Sequence, residues 1–236
     1  MSHVEAIDGL LTRRRELAAG AGRDPQAARC LAELRAFQAL RLAASYADLR
    51  RDPRCAPAVE FFLSDLYGPQ DFGARDRDLE RAWRYLRRAL PAAALAVLAA
   101  AIELQVLTAE LDQAVAARLD VPIDAARYAA AYRAVGARDA RARQIELVLG
   151  IGAQLERVVR HPWIGLALRV AHAPAHAAGL GALQDFLERG YAAFRAMGDA
   201  GPLLDAIRAR ETQLMQALLA GRAPAELPRA AGGDAA

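Results

Sequence analysis

The stretch RDARARQIELVLGIGAQLERVVR, residues 138–160, decides the fold class. Ile145, Val148, Leu149, Gly152, Leu155 and Val159 recur in it at three- and four-residue intervals, the period that gathers side chains on one stripe of an α-helix. Gly152 lies on that stripe, and a position without a side chain there predicts the close approach of a neighbouring helix. Gly136 closes the preceding segment and Pro162 follows, so the helix is bounded at both ends.

Working outward, the same period recurs along the chain, while strand-like alternation is nearly absent. Helices are predicted over residues 5–17, 25–49, 58–66, 77–90, 91–119, 122–132 and 162–171. Asp24 serves as N-cap and Pro25 as first residue of the second. Leu79, Trp83, Leu86 and Leu90 form the apolar face of the helix at 77–90. Pro174 is expected to interrupt the chain before a helix carrying Leu180, Leu183, Leu187 and Phe194. Gly201-Pro202 opens the last helix, with Leu203, Ile207, Leu214 and Leu218. No repeat period argues for a solenoid. The expectation is an all-α, single-domain irregular bundle of about nine or ten helices over residues 1–221, followed by a flexible tail at 222–236.

Composition narrows function by exclusion. The chain of 236 residues is 55% hydrophobic and 25% charged, a globular balance. Alanine inflates the first figure and buries little area, so cohesion must come from the larger apolar side chains. All 31 basic side chains are arginine. With no lysine, neither a Schiff base nor a P-loop lysine is available. Ser2, Ser45 and Ser64 are the only serines, and none sits in a nucleophile-elbow context. A net charge of +3 is small for a nucleic-acid binder, so nucleic acid is an unfavoured partner. Cys30 and Cys55 form no metal-ligand spacing and read as buried free thiols. The first fifteen residues lack an apolar leader core, and the apolar run at 90–102 is too short to cross a bilayer. The expectation is a cytoplasmic protein with no membrane span and no cofactor.

Residues 60–78, EFFLSDLYGPQDFGARDRD, are the densest in acids and aromatics, around a Gly-Pro turn. Two readings are open. In the structural one, Asp65 and Asp71 bond local backbone and Asp76 caps the helix that follows. In the functional one, Asp65, Tyr67, Asp71, Phe72, Arg75 and Asp76 make a ligand or partner site. Beyond them Arg77, Arg81, Arg84 and Arg88 share one helical face, a candidate anion-binding surface or simply a solvated one. Glu103 and Glu211 fall on apolar stripes. They read as members of ion pairs or, with Arg169 and Gln184, as convergent polar groups of an internal pocket.

Metal is not expected. No Glu-x-x-His pair exists for a di-metal site. His172 and His176 have helical metal-pair spacing, but Pro174 lies between them.

The run FFLSDLYGPQDFGARDRD (61–78), preceded by SYADLRRDPRCAPAVE (45–60), resembles a family of uncharacterised proteobacterial all-helical proteins with an FFLxDLYGPxDFxxRD signature. AYRAVGARDARARQIELVLGIG (131–152) and GLGALQDFLERGYAAF (179–194) are similar to it as well. The resemblance covers residues 35–221 and implies a helical fold without a known activity. The favoured functional expectation is a protein-interaction or self-associating module. The alternatives are a small-molecule binder or enzyme with a pocket inside the bundle, and an anion or nucleic-acid binder using the arginine face.

Overall fold

The chain folds, in a computed structural model, into helices joined by short connections; residues 2–21, 24–66, 73–224 and 227–228 are described. Among the described residues there are eleven α-helices, one π-helical turn and no strand. They are α1 (His3–Ala21), α2 (Pro25–Ser45), α3 (Ala47–Arg51), α4 (Ala56–Phe61) with a π turn (Phe62–Leu66) continuing it, α5 (Gly73–Ala89), α6 (Ala92–Ala116), α7 (Ala125–Val135), α8 (Arg138–Val159), α9 (Pro162–Ala177), α10 (Gly181–Met197) and α11 (Gly201–Leu219). The all-α multi-helix bundle read from the sequence is the observed architecture.

Apolar packing falls into three clusters. The first joins Leu42 and Tyr46 of α2, Val59 and Phe61 of α4, and residues of α8, α10 and α11 such as Leu149, Phe194 and Ile207. The second joins Leu31, Leu34 and Phe37 of α2 to Val115 of α6, Tyr128 and Tyr132 of α7, and Leu218 of α11. Leu227, beyond Gly221, is also buried there. The third joins Ile7 and Leu11 of α1 to Leu79 and Trp83 of α5 and Ile102 of α6. Each fully buried Leu or Ile contributes on the order of 1.5–3 kcal/mol, which the many alanines cannot supply. Helices α2, α6 and α11 each run from one cluster into another and bind the three together.

Several boundaries differ from the sequence expectation. Helix α2 stops at Ser45 rather than at residue 49. Tyr46 leaves helical geometry at φ −116° and ψ 16°, and Arg210 donates to the Ser45 carbonyl at 2.5 Å. Asp76 lies within the first turn of α5, which begins at Gly73, so it is not the cap. Helix α7 begins at Ala125, where the Asp124 side chain accepts from Arg127 N, rather than at Pro122. Pro174 does not interrupt the chain: α9 continues through it to Ala177. The lost backbone bond falls in the last turn of the helix, three residues before its end at Ala177.

Helix α6 also corrects an expectation. At 25 residues, about 37 Å, it is long and apolar enough to cross a bilayer by length and composition alone. In the fold it packs on α1, α2, α7 and α8. Its carboxylates are tied to those neighbours, Glu103 to Arg143, Glu110 to Arg13 and Asp112 to Gln38.

Gly152 sits where the stripe predicted. A Cβ there would lie 2.5 Å from Leu204 Cδ2 of α11, so the α8–α11 seam closes on a missing side chain.

Candidate functional site

Where the first and second clusters meet, α2, α6, α7, α8 and α11 leave a cavity of about 90 Å³. Half its wall is apolar, with Leu42, Phe62, Val148 and Ile207 among the residues present. The rest is polar and unusually well buried: Arg41, Asp112 and Arg141 are each under 10% exposed.

The polar wall has two centres. At the first, Arg41 Nη1 donates to Glu211 Oε1 at 2.6 Å, and the Tyr46 hydroxyl donates to the same oxygen at 2.9 Å. Burial opposes the Arg41 charge, but Glu211 more than offsets this and leaves its pKa above the ordinary value. Burial, then the adjacent Glu211 charge, raise Tyr46 as well. At the second, Arg141 lies flat on the Tyr132 ring, its guanidinium carbon 3.4 Å from the centroid, and donates from Nε to the Gly136 carbonyl at 3.0 Å. Nearby, Gln38 donates to Asp112 Oδ1 at 3.0 Å. Burial raises the Asp112 carboxyl above its ordinary value, against the opposing pull of Gln38, Arg35 and Arg141.

Two donors in this wall are unspent. Arg41 Nε and Arg141 Nη2 are buried without a hydrogen-bond partner among the described residues. A buried donor left unpaired costs about 1–3 kcal/mol, more when charged, so such groups mark a place for water, an ion or a ligand. No Ser, Cys or His lines the cavity among the described residues. What it offers is directed hydrogen bonding and charge, with the Thr108 hydroxyl also among the lining groups.

The phenols give a pH signature. Burial raises Tyr128, and Tyr132 is pushed up to about 12 by burial. With Tyr46 that makes three of the six tyrosines in the chain. Ultraviolet titration of the folded protein near pH 11 should therefore develop less than the full tyrosinate signal. The sign follows from linkage: the Tyr132 contribution is complete below its unfolded pKa of about 10 and is lost as pH rises through about 12, up to roughly 2–3 kcal/mol. Full tyrosinate absorbance at pH 11 with native circular dichroism would contradict the buried placement.

Of the residues singled out from the sequence, Glu211 reaches this cavity. Glu103 does not: it lies on the surface, held by Arg143 at 2.8 and 3.0 Å. Arg169 is exposed. Gln184 is buried elsewhere and donates to the Leu168 carbonyl and to Glu188.

The stretch 60–78 is only partly within the described residues; Tyr67, Asp71 and Phe72 lie outside them. Asp65, Arg75 and Asp76 do come together. Asp65 Oδ1 accepts from Arg189 Nε and Nη2 at 3.0 and 2.6 Å, and its carbonyl accepts from Arg75 at 2.8 Å. Arg75 covers the Phe186 ring at 4.5 Å, and burial lowers its pKa. Asp76 pairs with Arg14 of α1 at 3.3 Å. These bonds tie α1, α5, α10 and the π turn together. Arg77, Arg81, Arg84 and Arg88 all face outward on α5. Arg81 is spent on Asp78 and on the Gly179 carbonyl, and Arg84 stacks on Tyr85, which leaves Arg77 and Arg88 without a partner among the described residues.

Sequence reasoning missed Arg41, Asp112 and Arg141. The signal was present for two of them. Arg141 extends the Ile145 stripe of α8 by one turn, and Arg41 completes the series Leu34, Phe37, Arg41 on α2. A charge in phase with an apolar stripe marks a buried polar site. Asp78 was also missed: from α5 it accepts from Leu183 N at 3.2 Å and caps the first turn of α10.

No curated protein and no solved structure matches the chain. A family model does, over residues 18–225, and this span holds every cavity residue named above. The chain therefore belongs to the family described as Domain of unknown function (DUF8198).

Proposed function

We propose that the protein binds a small molecule bearing a carboxylate or phosphate in the cavity between α2, α6, α7, α8 and α11. One observation carries this reading: two buried arginines on different helices, each with an unpaired N–H, line one cavity. Guanidinium forks match acidic oxygens, and low surrounding polarity strengthens the bond. At about 90 Å³ the space is smaller than the ~150 Å³ cavity that accepts benzene, which limits the enclosed part of the ligand to a few heavy atoms. Glu211 and Asp112 balance the arginine charge, so a ligand that also offers a hydrogen-bond donor is favoured over a bare anion. A cytoplasmic setting with both thiols reduced accords with this role.

Thermal unfolding in acetate or phosphate against chloride at matched ionic strength tests it. A ligand at 100 times its Kd stabilises by about 2.7 kcal/mol, very roughly 5–10 °C in Tm for a chain of this size. The shift should vanish in Arg141→Met. Native mass spectrometry of protein from its own host should show a bound small molecule. No anion outperforming chloride, together with a bare mass, would overturn the reading and leave ordered water as the occupant.

A second reading, self-association, rests on α9. Trp163, Leu166 and Val170 are 66%, 55% and 69% exposed at i, i+3 and i+7, one apolar stripe facing outward. Light scattering should then show a concentration-dependent dimer that Trp163→Ser weakens; a monomer at all concentrations would remove this reading.

A further inference from the structure

Away from the cavity, the α9–α10 hairpin gathers four metal-ligating side chains. His172 and His176 stand one turn apart on α9, with ring centroids 4.4 Å apart. The continuity of α9 through Pro174 is what brings them onto one face. From α10, Glu188 places both carboxylate oxygens 3.1 Å from His172 Nδ1, and Asp185 places Oδ1 2.8 Å from His176 Nε2. One ligand atom each from His172, His176 and Asp185 lies within 4.8 Å of the others.

We propose that His172, His176 and Asp185 bind one divalent first-row transition ion of the zinc class, with Glu188 holding the His172 ring from outside the ligand set, and so clasp α9 to α10. Four observations favour an ion over two separate His–carboxylate bonds. The ligands are mixed imidazole and carboxylate, the set that suits zinc, nickel, copper and iron rather than magnesium or calcium. The ligand atoms of His172, His176 and Asp185 lie within 4.8 Å of one another, against roughly 3.4 Å between ligands of a tetrahedral zinc site, a gap that half-exposed side chains cover by rotamer adjustment. An orienting shell is in place, since Gln184 donates to Glu188 Oε1 at 2.9 Å while also donating to the Leu168 carbonyl. Finally, Gly181 makes room: a Cβ there would lie 2.8 Å from His176 Nδ1. No covalent or redox step is involved, and the ion displaces at most the protons of its ligands.

The test uses the untagged full-length chain, stripped with chelator. Zinc chloride is titrated by calorimetry, and cobalt chloride by visible absorbance, which reports imidazole–carboxylate geometry directly. The expected result is one ion per chain at micromolar or tighter Kd, weakened about 100-fold in the His172→Ala/His176→Ala double variant. His161→Ala, outside the cluster, should bind as the parent does. Both substituted histidines are exposed, so circular dichroism of the double variant should match the parent. Absence of binding below about 1 mM, or binding undiminished in the double variant, overturns the proposal.

Discussion

Glu211→Ala should destabilise the protein by roughly 3–5 kcal/mol, a large part of the stability of any domain. The carboxylate is shared by two buried groups, Arg41 and Tyr46. Its removal leaves a buried guanidinium that cannot deprotonate and has lost its counter-charge, and a phenol without an acceptor. The cost is therefore the penalty of the stranded charge rather than the net worth of one salt bridge. Two further variants separate these contributions. Glu211→Gln retains an acceptor for Tyr46 and should lose less. Adding Arg41→Met to Glu211→Ala should recover part of the loss, because the stranded charge goes with it. Urea unfolding midpoints measure all three. A single-variant loss under about 1 kcal/mol would mean that Arg41 reaches solvent and that the polar wall is not sealed.

Gly152→Leu should cost about 3 kcal/mol, visible as a fall in Tm of very roughly 6–12 °C. The argument is geometric. A Cβ meets Leu204 Cδ2 at 2.5 Å, and the remaining atoms of a leucine have no space in the α8–α11 seam. Those two helices also carry Arg141 and Glu211, so a widened seam should abolish the anion-dependent Tm shift as well. Gly152→Ala is the informative control. The clash is with the tip of a flexible side chain, Leu204 can turn aside, and alanine gains about 1 kcal/mol of helix propensity over glycine. Near-neutral stability is expected there. If the leucine variant were as stable as the parent, the seam would not be packed as described.

The fold class was legible because the apolar period survives in nearly every segment, and the α8 stripe with its central glycine translated directly into a close helix pair. Helix ends were less legible where tertiary bonds override local rules. Ser45 loses the next turn to Arg210, and Asp78 reaches across from another helix to cap α10. Proline was over-read at 174, since near a helix end the loss of a single backbone bond is tolerated. The cavity was the least legible part. It is assembled from five helices, and its arginines look like any others in a chain where all cations are arginine. Glu211 was found because it sits in phase with Ile207; Arg141 and Arg41 obey the same phase and could have been found by the same test. Asp112 could not, because Leu111 beside it is buried too and α6 is apolar nearly all round.

Helix α9 buries one residue, Gly165, which rests against the Tyr191 ring. Outside that contact its side chains carry almost none of the packing that holds the three clusters. Away from Gly165 and the two histidine bonds to α10, substitution along α9 is thus weakly constrained by folding, and drift should erase whatever is not needed. Among DUF8198 members, the α9 positions that resist drift apart from Gly165 will be those kept by use, which makes this helix a record of selection for function in which the fold has little say.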